Sequence, residues 1–136
     1  MIYRATEDGF KGKDFHLKCD NQGKTFGILK TEAKDGGQVK ISGWYTDIQW
    51  TSDKERKSGS GNSFIFLLTD DMNFIKLRCT DKEKEVFHDE FWLCCFGRDD
   101  LWIWYDCNIN YNSNSTLGIS YEKPSANERS ALAGSW

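Results

Sequence analysis

The sequence predicts an α+β protein that is mainly β: a two-layer antiparallel β-sandwich with short peripheral helices. Aromatic residues make up 15% of the chain and proline occurs once, a mixture that favours pleated sheet over a helical bundle. Residues 64–68 and 91–96 are apolar at every position, so both faces of these strands must be covered. Short turns rich in Asp, Asn and Gly separate the segments, which is typical of antiparallel strands packed in two layers.

The length of the chain fits one domain spanning residues 1–136. Of its 136 residues, 38% are hydrophobic, enough to form a core without a metal or disulfide staple. The sequence contains no internal repeat and no linker that would divide it. We therefore expect a single folding unit.

The first half of the chain predicts a short helix and a β-hairpin. Phe15 and Cys19 are four residues apart, so a helix of about two turns would place both on one face. Residues 25–30 read as a strand, and the turn at 34–37 joins it to a second strand over 39–45. The stretch 51–62 is almost wholly polar and is expected to be a mobile surface loop.

The second half predicts four more strands, over residues 64–68, 74–79, 91–96 and 101–105. In the last of them Trp102 and Trp104 share one face, because side chains alternate along a strand. We expect these two side chains to pack under a helix or the opposite sheet. Residues 108–115, rich in Asn and Ser, are expected to form a turn-rich loop.

Charge and apolar patterning exclude several classes of protein. The 18 basic and 21 acidic side chains give a net charge of −3 and are spread along the chain, which does not favour nucleic-acid binding. No apolar stretch approaches the roughly 20 residues of a membrane span. No signal peptide opens the sequence. The expected compartment is therefore cytoplasmic.

The segments taken in order resemble the TLDc domain family over nearly the whole chain. The resemblance is strongest to the versions common in protists. The matching residues are Ile2-Tyr3-Arg4-Ala5, Asp8-Gly9-Phe10, Phe15-His16, Cys19-Asp20, Gly23, Thr25, Gly43-Trp44-Tyr45-Thr46, Trp50, Asn62-Ser63-Phe64-Ile65-Phe66-Leu67, Phe96-Gly97, Asp100-Leu101-Trp102-Ile103 and Gly118-Ile119-Ser120-Tyr121.

The sequence departs from the family pattern at three places. Trp44 follows Gly43 where members usually have a second glycine, and residues 92–95 replace a glycine-rich run. Members normally continue with one more strand after the region that here reads Ala133-Gly134-Ser135-Trp136. We therefore expect this chain to lack the final C-terminal strand of the family.

The resemblance implies an antiparallel sandwich with peripheral helices and a role in resistance to oxidative stress. Several members of the family bind the vacuolar proton pump and alter its assembly. The family has no accepted active site, so no catalytic residue is carried over to this chain. The resemblance therefore implies a protein partner, no enzymatic activity and no cofactor.

The five cysteines and two histidines offer the most tempting chemistry. His16 and Cys19 form an H-x-x-C pair, but the adjacent Cys94 and Cys95 would point to opposite faces of a strand and could not readily share one ion. We therefore expect no metal site, buried free thiols and a surface histidine. A Cys79–His88 nucleophile would need proximity in space that spacing cannot show.

A redox role for a thiol needs exposure and a low pKa. Cys19 and Cys107 lie near polar loops and are the weak redox candidates. The acidic pairs at 70–71, 89–90 and 99–100 fall in predicted turns, where Asp bonds the backbone, so the sequence does not favour a catalytic pair or a calcium site.

Three hypotheses of function follow. The first is a non-enzymatic protein-interaction module with the vacuolar proton pump as its partner. The second is a thiol-dependent antioxidant module. The third is a structural piece of a large assembly, such as a cytoskeletal complex.

Overall fold

The computed structural model describes residues 1–125 and 130–133. Within them, short helices precede and accompany two sets of β-strands. In chain order the elements are α1 (Ala5–Asp8), α2 (Gly12–Cys19), β1 (Thr25–Glu32), β2 (Val39–Thr46), β3 (Arg56–Lys57), β4 (Phe64–Leu68), β5 (Phe74–Arg78), a 3-10 turn (Lys82–Lys84), β6 (Val86–Phe87), β7 (Cys94–Phe96) and β8 (Leu101–Ile103).

The strands form two antiparallel four-stranded sheets. The first sheet has the order β1-β2-β4-β5, and the second has the order β3-β6-β7-β8. Consecutive strands pair through hairpins at β1–β2, β4–β5 and β7–β8. The predicted α+β sandwich, mainly β with short peripheral helices, is confirmed.

The core lies where the inner faces of the two sheets meet. Trp44 of β2 contacts Phe96 of β7 with ring centroids 5.7 Å apart. Phe96 is also 5.8 Å from Trp50 in an edge-to-face arrangement, a geometry that aromatic quadrupoles favour. Opposite Trp44 in the register stands Gly27 of β1. A Cβ atom at that position would lie 2.2 Å from the Trp44 ring, so the indole can lie flat against β1 only because residue 27 is glycine.

Helix α2 packs on this core as predicted. Phe15 meets Trp50 edge-to-face at 5.3 Å, and Cys19 is buried on the same side of the helix. Gly12 brings the start of the helix close to the backbone of residues 90–91, since a Cβ there would lie 2.3 Å from the Glu90 carbonyl oxygen. At eight residues α2 is short, and no helix in 1–125 or 130–133 is long and apolar enough to cross a membrane.

The expectation of a plain surface loop over 51–62 is wrong in part. Arg56 and Lys57 form β3, which pairs with Val86 and Phe87 of β6. The carboxylate of Glu85 also accepts the N–H of Gly61 at 2.9 Å. Both β3 and β6 are two residues long, so neither shows the alternation by which a strand is recognised in sequence.

Two predicted strands are shorter than expected. The strand predicted over 91–96 begins only at Cys94, because Asp89 holds a turn: its side chain accepts the Phe91 N–H and its carbonyl accepts the Trp92 N–H. The strand predicted over 101–105 ends at Ile103. There the Trp104 N–H donates to the Ser113 hydroxyl instead of to a neighbouring strand.

Asp100 is a buried carboxylate that binds the backbone of a later segment of the chain. It ends the turn between β7 and β8, as predicted, and its oxygens accept the backbone N–H groups of residues 118–121 at 2.8–3.3 Å. Burial raises the pKa of Asp100, while these hydrogen bonds oppose the rise. This carboxylate therefore anchors the chain after β8.

The expectation of a missing final strand concerns Trp136 and what would follow it. Trp136 lies outside the described residues. That expectation stays a prediction.

His88 is a buried polar side chain at the end of β6. It is fully buried beside Trp50, and its Nδ1 accepts the backbone N–H of Thr51 at 3.1 Å. Within the described chain its Nε2 atom has no hydrogen-bond partner. Burial lowers the pKa of His88 to about 4, so the ring is neutral in the folded protein near neutral pH.

We expect this histidine to make folding weaken in mild acid. The unfolded side chain, with a pKa near 6.5, takes up a proton that the folded one refuses. Its contribution is therefore complete well above pH 6.5 and is lost as the pH falls towards 4, by about 1.6 kcal/mol between pH 6.5 and 5. Urea unfolding of the wild type and of His88→Gln over this range measures it. An equal pH dependence in both proteins contradicts the assignment.

Candidate functional site

The first sheet has an unusual solvent-facing side. Along β1 the exposed positions alternate with partly buried ones, as expected for a sheet with one face in water. The exposed positions, however, begin with Phe26 and Ile28, which are 56% and 68% exposed. On a solvated sheet these positions are normally polar.

The strand register identifies the other residues that share this side. Side chains directly opposite each other in antiparallel strands lie on one face. We call this set the outer face. Its members are Phe26, Ile28, Lys30, Glu32, Val39, Ile41, Gly43, Tyr45, Phe64, Phe66, Leu68, Phe74, Lys76 and Arg78.

Three phenylalanines form a stack that runs diagonally across the outer face. Phe66 of β4 lies between Phe26 of β1, at 5.3 Å, and Phe74 of β5, at 5.1 Å, with nearly parallel rings. Phe66 is only 5% exposed, yet it belongs to the solvent side and not to the core cluster. Phe26 and Phe74 cover it and are themselves more than half exposed.

Gly43 makes this stack possible. It sits in the middle of β2, directly opposite Phe66. A Cβ atom at residue 43 would lie 2.5 Å from the Phe66 ring and 2.0 Å from the Gly27 carbonyl oxygen. The glycine therefore lets the Phe66 ring reach across β2 towards Phe26, an arrangement in which an aromatic ring covers bare backbone.

The second sheet treats its own outward side differently. Trp92, from the turn before β7, lies 4.2 Å from Trp102 and 5.4 Å from Trp104. Phe87 adds a ring 5.4 Å from Trp92. Trp92 therefore covers Trp102 and Trp104, in place of the helix or opposite sheet that the sequence predicts. All four rings are at least half buried.

The outer face is consequently an apolar surface that the described part of the fold leaves open to water. Contiguous exposed apolar patches on a soluble domain mark sites of protein or membrane contact. A hollow at one end of this face, bordered by Lys40, Ile41 and Thr69, measures about 40 Å³. Small-molecule sites are typically about 300–1,000 Å³, so the geometry favours a broad partner over a small ligand.

The metal-ligating residue types do not come together. The described residues contain no group of three or more His, Cys, Asp or Glu side chains able to hold an ion. His16 Nδ1 contacts Asp20 Oδ1 at 2.6 Å, and its Nε2 contacts the Trp92 carbonyl at 3.1 Å. The expectation of a surface histidine is wrong, because both His16 and His88 are buried.

Cys79 and His88 do not form a nucleophile–base pair. The Cys79 thiol donates to the Asp81 carbonyl, and the ring nitrogens of His88 are engaged by Thr51 or lack a hydrogen-bond partner among the described residues. Burial raises the pKa of Cys79 to about 11. A thiolate at this position is therefore scarce near neutral pH.

The two redox candidates lie in similarly unfavourable surroundings. Cys19 is buried in the core, and burial raises its pKa to about 12. Cys107 is partly buried, and burial raises its pKa as well. Neither combines the exposure and low pKa of a sensor thiol. A redox role for these thiols stays a hypothesis that the geometry does not favour.

Comparison with known families fits the sandwich and its helices. The TLDc domain matches residues 1–133 of the 136-residue chain. The chain belongs to the TLDc domain family. No curated protein and no solved structure is significantly similar to it.

In this TLDc domain the residues that build the open surface were not recognised from sequence. The relevant pattern lies in β1, where Phe26 and Ile28 lie on one face of the strand and Leu29 lies on the other. Because both parities carry apolar residues, alternation alone does not say which set faces the core. The packing of Trp44 against Gly27 places Leu29 on the core side and leaves Phe26 and Ile28 on the outer face.

We expect Gly43→Ala to disrupt the outer face of the TLDc domain. The added methyl group would collide with Phe66 and with the Gly27 carbonyl, and overpacking of this kind costs about 2 kcal/mol. Urea unfolding followed by tryptophan fluorescence measures the loss. Gly37→Ala, in the exposed β1–β2 turn with its nearest atom 3.2 Å away on Asp35, is the matched control and should change little. Equal stability of the two variants contradicts the assigned role of Gly43.

We expect the thiols of the folded TLDc domain to react in the order of their burial. Cys79 and Cys107 are partly buried and should react with Ellman's reagent first, whereas the buried set Cys19, Cys94 and Cys95 should react only on unfolding. All should be slower than free cysteine, because burial raises each pKa. Mass spectrometry of labelled peptides assigns the order. A fast native reaction at Cys19 contradicts it and revives the redox hypothesis.

Proposed function

We propose that this chain is a non-enzymatic protein-interaction module that binds its partner through the outer face. The observation that carries the proposal is the exposed aromatic stack of Phe26, Phe66 and Phe74. Membership in the TLDc domain family supports it, since that family is associated with protein interaction and oxidative-stress resistance.

The energetics of the stack support a contact function. Phe26 and Phe74 expose 56% and 55% of their surface, and burying a side chain of this size contributes about 2 kcal/mol. Aromatic side chains that enter a partner's pocket are typical binding hot spots. A folded domain gains little from leaving such groups in water, so a partner is the simplest use for them.

The chemistry of the described residues supports the absence of an enzymatic role. A catalytic nucleophile needs an adjacent base in hydrogen-bond reach. The buried carboxylates of Glu85 and Asp100 instead accept backbone N–H groups, and the two histidines hold structural contacts. These carboxylates and imidazoles are therefore engaged in structural hydrogen bonds.

The partner we propose is the vacuolar proton pump, which several TLDc proteins bind. The module would then act by altering the assembly of the pump, and its link to oxidative stress would follow from that regulation. The outer face is the surface that would touch the pump.

We expect Phe26→Ser and Phe74→Ser to weaken binding to the purified vacuolar proton pump by at least about tenfold each, since each removes about 1.4 kcal/mol or more of contact energy. Biolayer interferometry with the immobilised chain measures the affinity. Leu17→Ser, which removes an 84% exposed leucine from α2, is the control and should bind as the wild type does. Circular dichroism checks that each variant is folded.

Two results would refute parts of this proposal. If the wild type does not bind the pump, the partner is wrong. If the wild type and both phenylalanine variants bind equally, the pump is a partner but the outer face is not the site. The antioxidant alternative predicts instead that the chain consumes peroxide, that replacing a cysteine removes this activity, and that Phe26→Ser leaves it unchanged.

A further inference from the structure

The outer face differs in charge from the rest of the molecule. The chain has a net charge of −3, but the charged residues on the outer face are three cations, Lys30, Lys76 and Arg78, and one anion, Glu32. Arg78 is partly neutralised by Glu122, 3.6 Å away. The face therefore stays basic within an acidic protein.

Lys76 shows how that charge is held beside the apolar surface. Its Nζ atom lies 4.1 Å from the centroid of the Phe64 ring, a cation–π contact that keeps the ammonium group low on the face. Phe64 in turn stacks on Tyr45 at 5.3 Å. Apolar area and positive charge are thus adjacent, on the side of the diagonal stack towards Arg78.

Acidic side chains lie beyond the opposite end of the face, in the hairpin turns. The β1–β2 and β4–β5 turns both lie beyond the Glu32 and Leu68 end of the sheet. They contain the exposed residues Asp35, Asp70 and Asp71, and the one lysine there, Lys34, contacts the Tyr111 ring at 4.8 Å. The outer face therefore carries a cation in each of three successive rows, Arg78, Lys76 and Lys30, and acidic side chains border it beyond the hairpin turns.

Shape and charge together restrict what can cover this surface. An occupant needs an apolar stripe for Phe26, Ile28 and Phe74, with polar flanks that meet Lys30 and Lys76. An amphipathic helix supplies such a stripe with polar rows on either side. Carboxylates on the flanks would complement the lysines, whereas ammonium groups would be repelled.

We infer that the outer face docks an amphipathic helical segment of a partner protein whose flanks carry Asp or Glu, which meet Lys30 on one side of the apolar stripe and Lys76 on the other. The inference rests on the proposed function, that the chain binds protein through this face, and adds the chemistry of the partner.

The test uses three synthetic peptides of about 18 residues, long enough for an amphipathic helix. All share one Leu and Phe face, and their flanks carry Glu, Gln or Lys. Fluorescence anisotropy with the full chain measures affinity at low and at physiological salt. We expect the Glu peptide to bind about tenfold more tightly than the Gln peptide and the Lys peptide to bind more weakly still. Salt should reduce the advantage of the Glu peptide.

Charge reversal locates the contact. Lys30→Glu and Lys76→Glu should each remove most of the preference for the Glu peptide, whereas Lys13→Glu, the same charge change on the exposed side of α2, should not. The double variant Asp70→Lys with Asp71→Lys should strengthen binding of the Glu peptide. Circular dichroism excludes unfolding as the cause.

The outcomes separate the inference from the proposed function. Equal affinity for the three peptides overturns the acidic partner and leaves an apolar contact. Binding of none of them, while the pump binds through Phe26 and Phe74, overturns the helical partner and leaves the proposed function. Binding of the Glu peptide without the pump supports the inference and removes the pump. Tighter binding to phosphatidylserine vesicles than to the Glu peptide would overturn it in favour of a membrane.

Discussion

The contact between Trp44 and Gly27 determines which side of the first sheet faces the core. The Trp44 indole lies against β1 in space that is free only because residue 27 is glycine. The same ring contacts Phe96 of the second sheet. Since strand side chains alternate, turning Trp44 inward turns Gly43 and Tyr45 outward. The antiparallel register then passes the same orientation to Phe26, Phe66 and Phe74. Trp44 therefore shares the inner face with Ile65, Leu67 and Leu77, and the alternate positions of the same strands form the outer face.

The two sheets differ in how the apolar side chains on their solvent-facing sides are covered. The second sheet covers its outward residues with Trp92, which comes from a turn and lies on Trp102 and Trp104. Among residues 1–125 and 130–133 the first sheet has no such cover, and its outward aromatics shield one another only in part: Phe66 is buried between two exposed rings. The first sheet thus leaves a contiguous apolar area, including Phe26, Ile28 and Phe74, open to water. This difference between the sheets is the basis for proposing the outer face as a binding surface.

Buried polar groups hold the connections between these sheets. Glu85 accepts the backbone N–H groups of Gly61 and Ser63, and Asp100 accepts four from the chain after β8. Hydrogen bonds to a buried carboxylate are stronger than neutral ones and costly to lose. Burial also makes the thiolate form scarce at two cysteines, because it raises the pKa of Cys19 to about 12 and that of Cys79 to about 11.

The sequence by itself determined the α+β sandwich, helix α2 and the four strands of the first sheet, because length, alternation and turn residues are local properties. It also carried the order of segments that marks the TLDc domain. It could not reveal β3 and β6, because two residues are too few to show the alternation of a strand, or the turn at Asp89 that shortens β7. Nor could it assign the outer face, since Phe26 and Leu29 are both apolar and lie on opposite sides of β1. Only the packing between the sheets, where Leu29 lies on the core side with Trp44, decided which of them meets water.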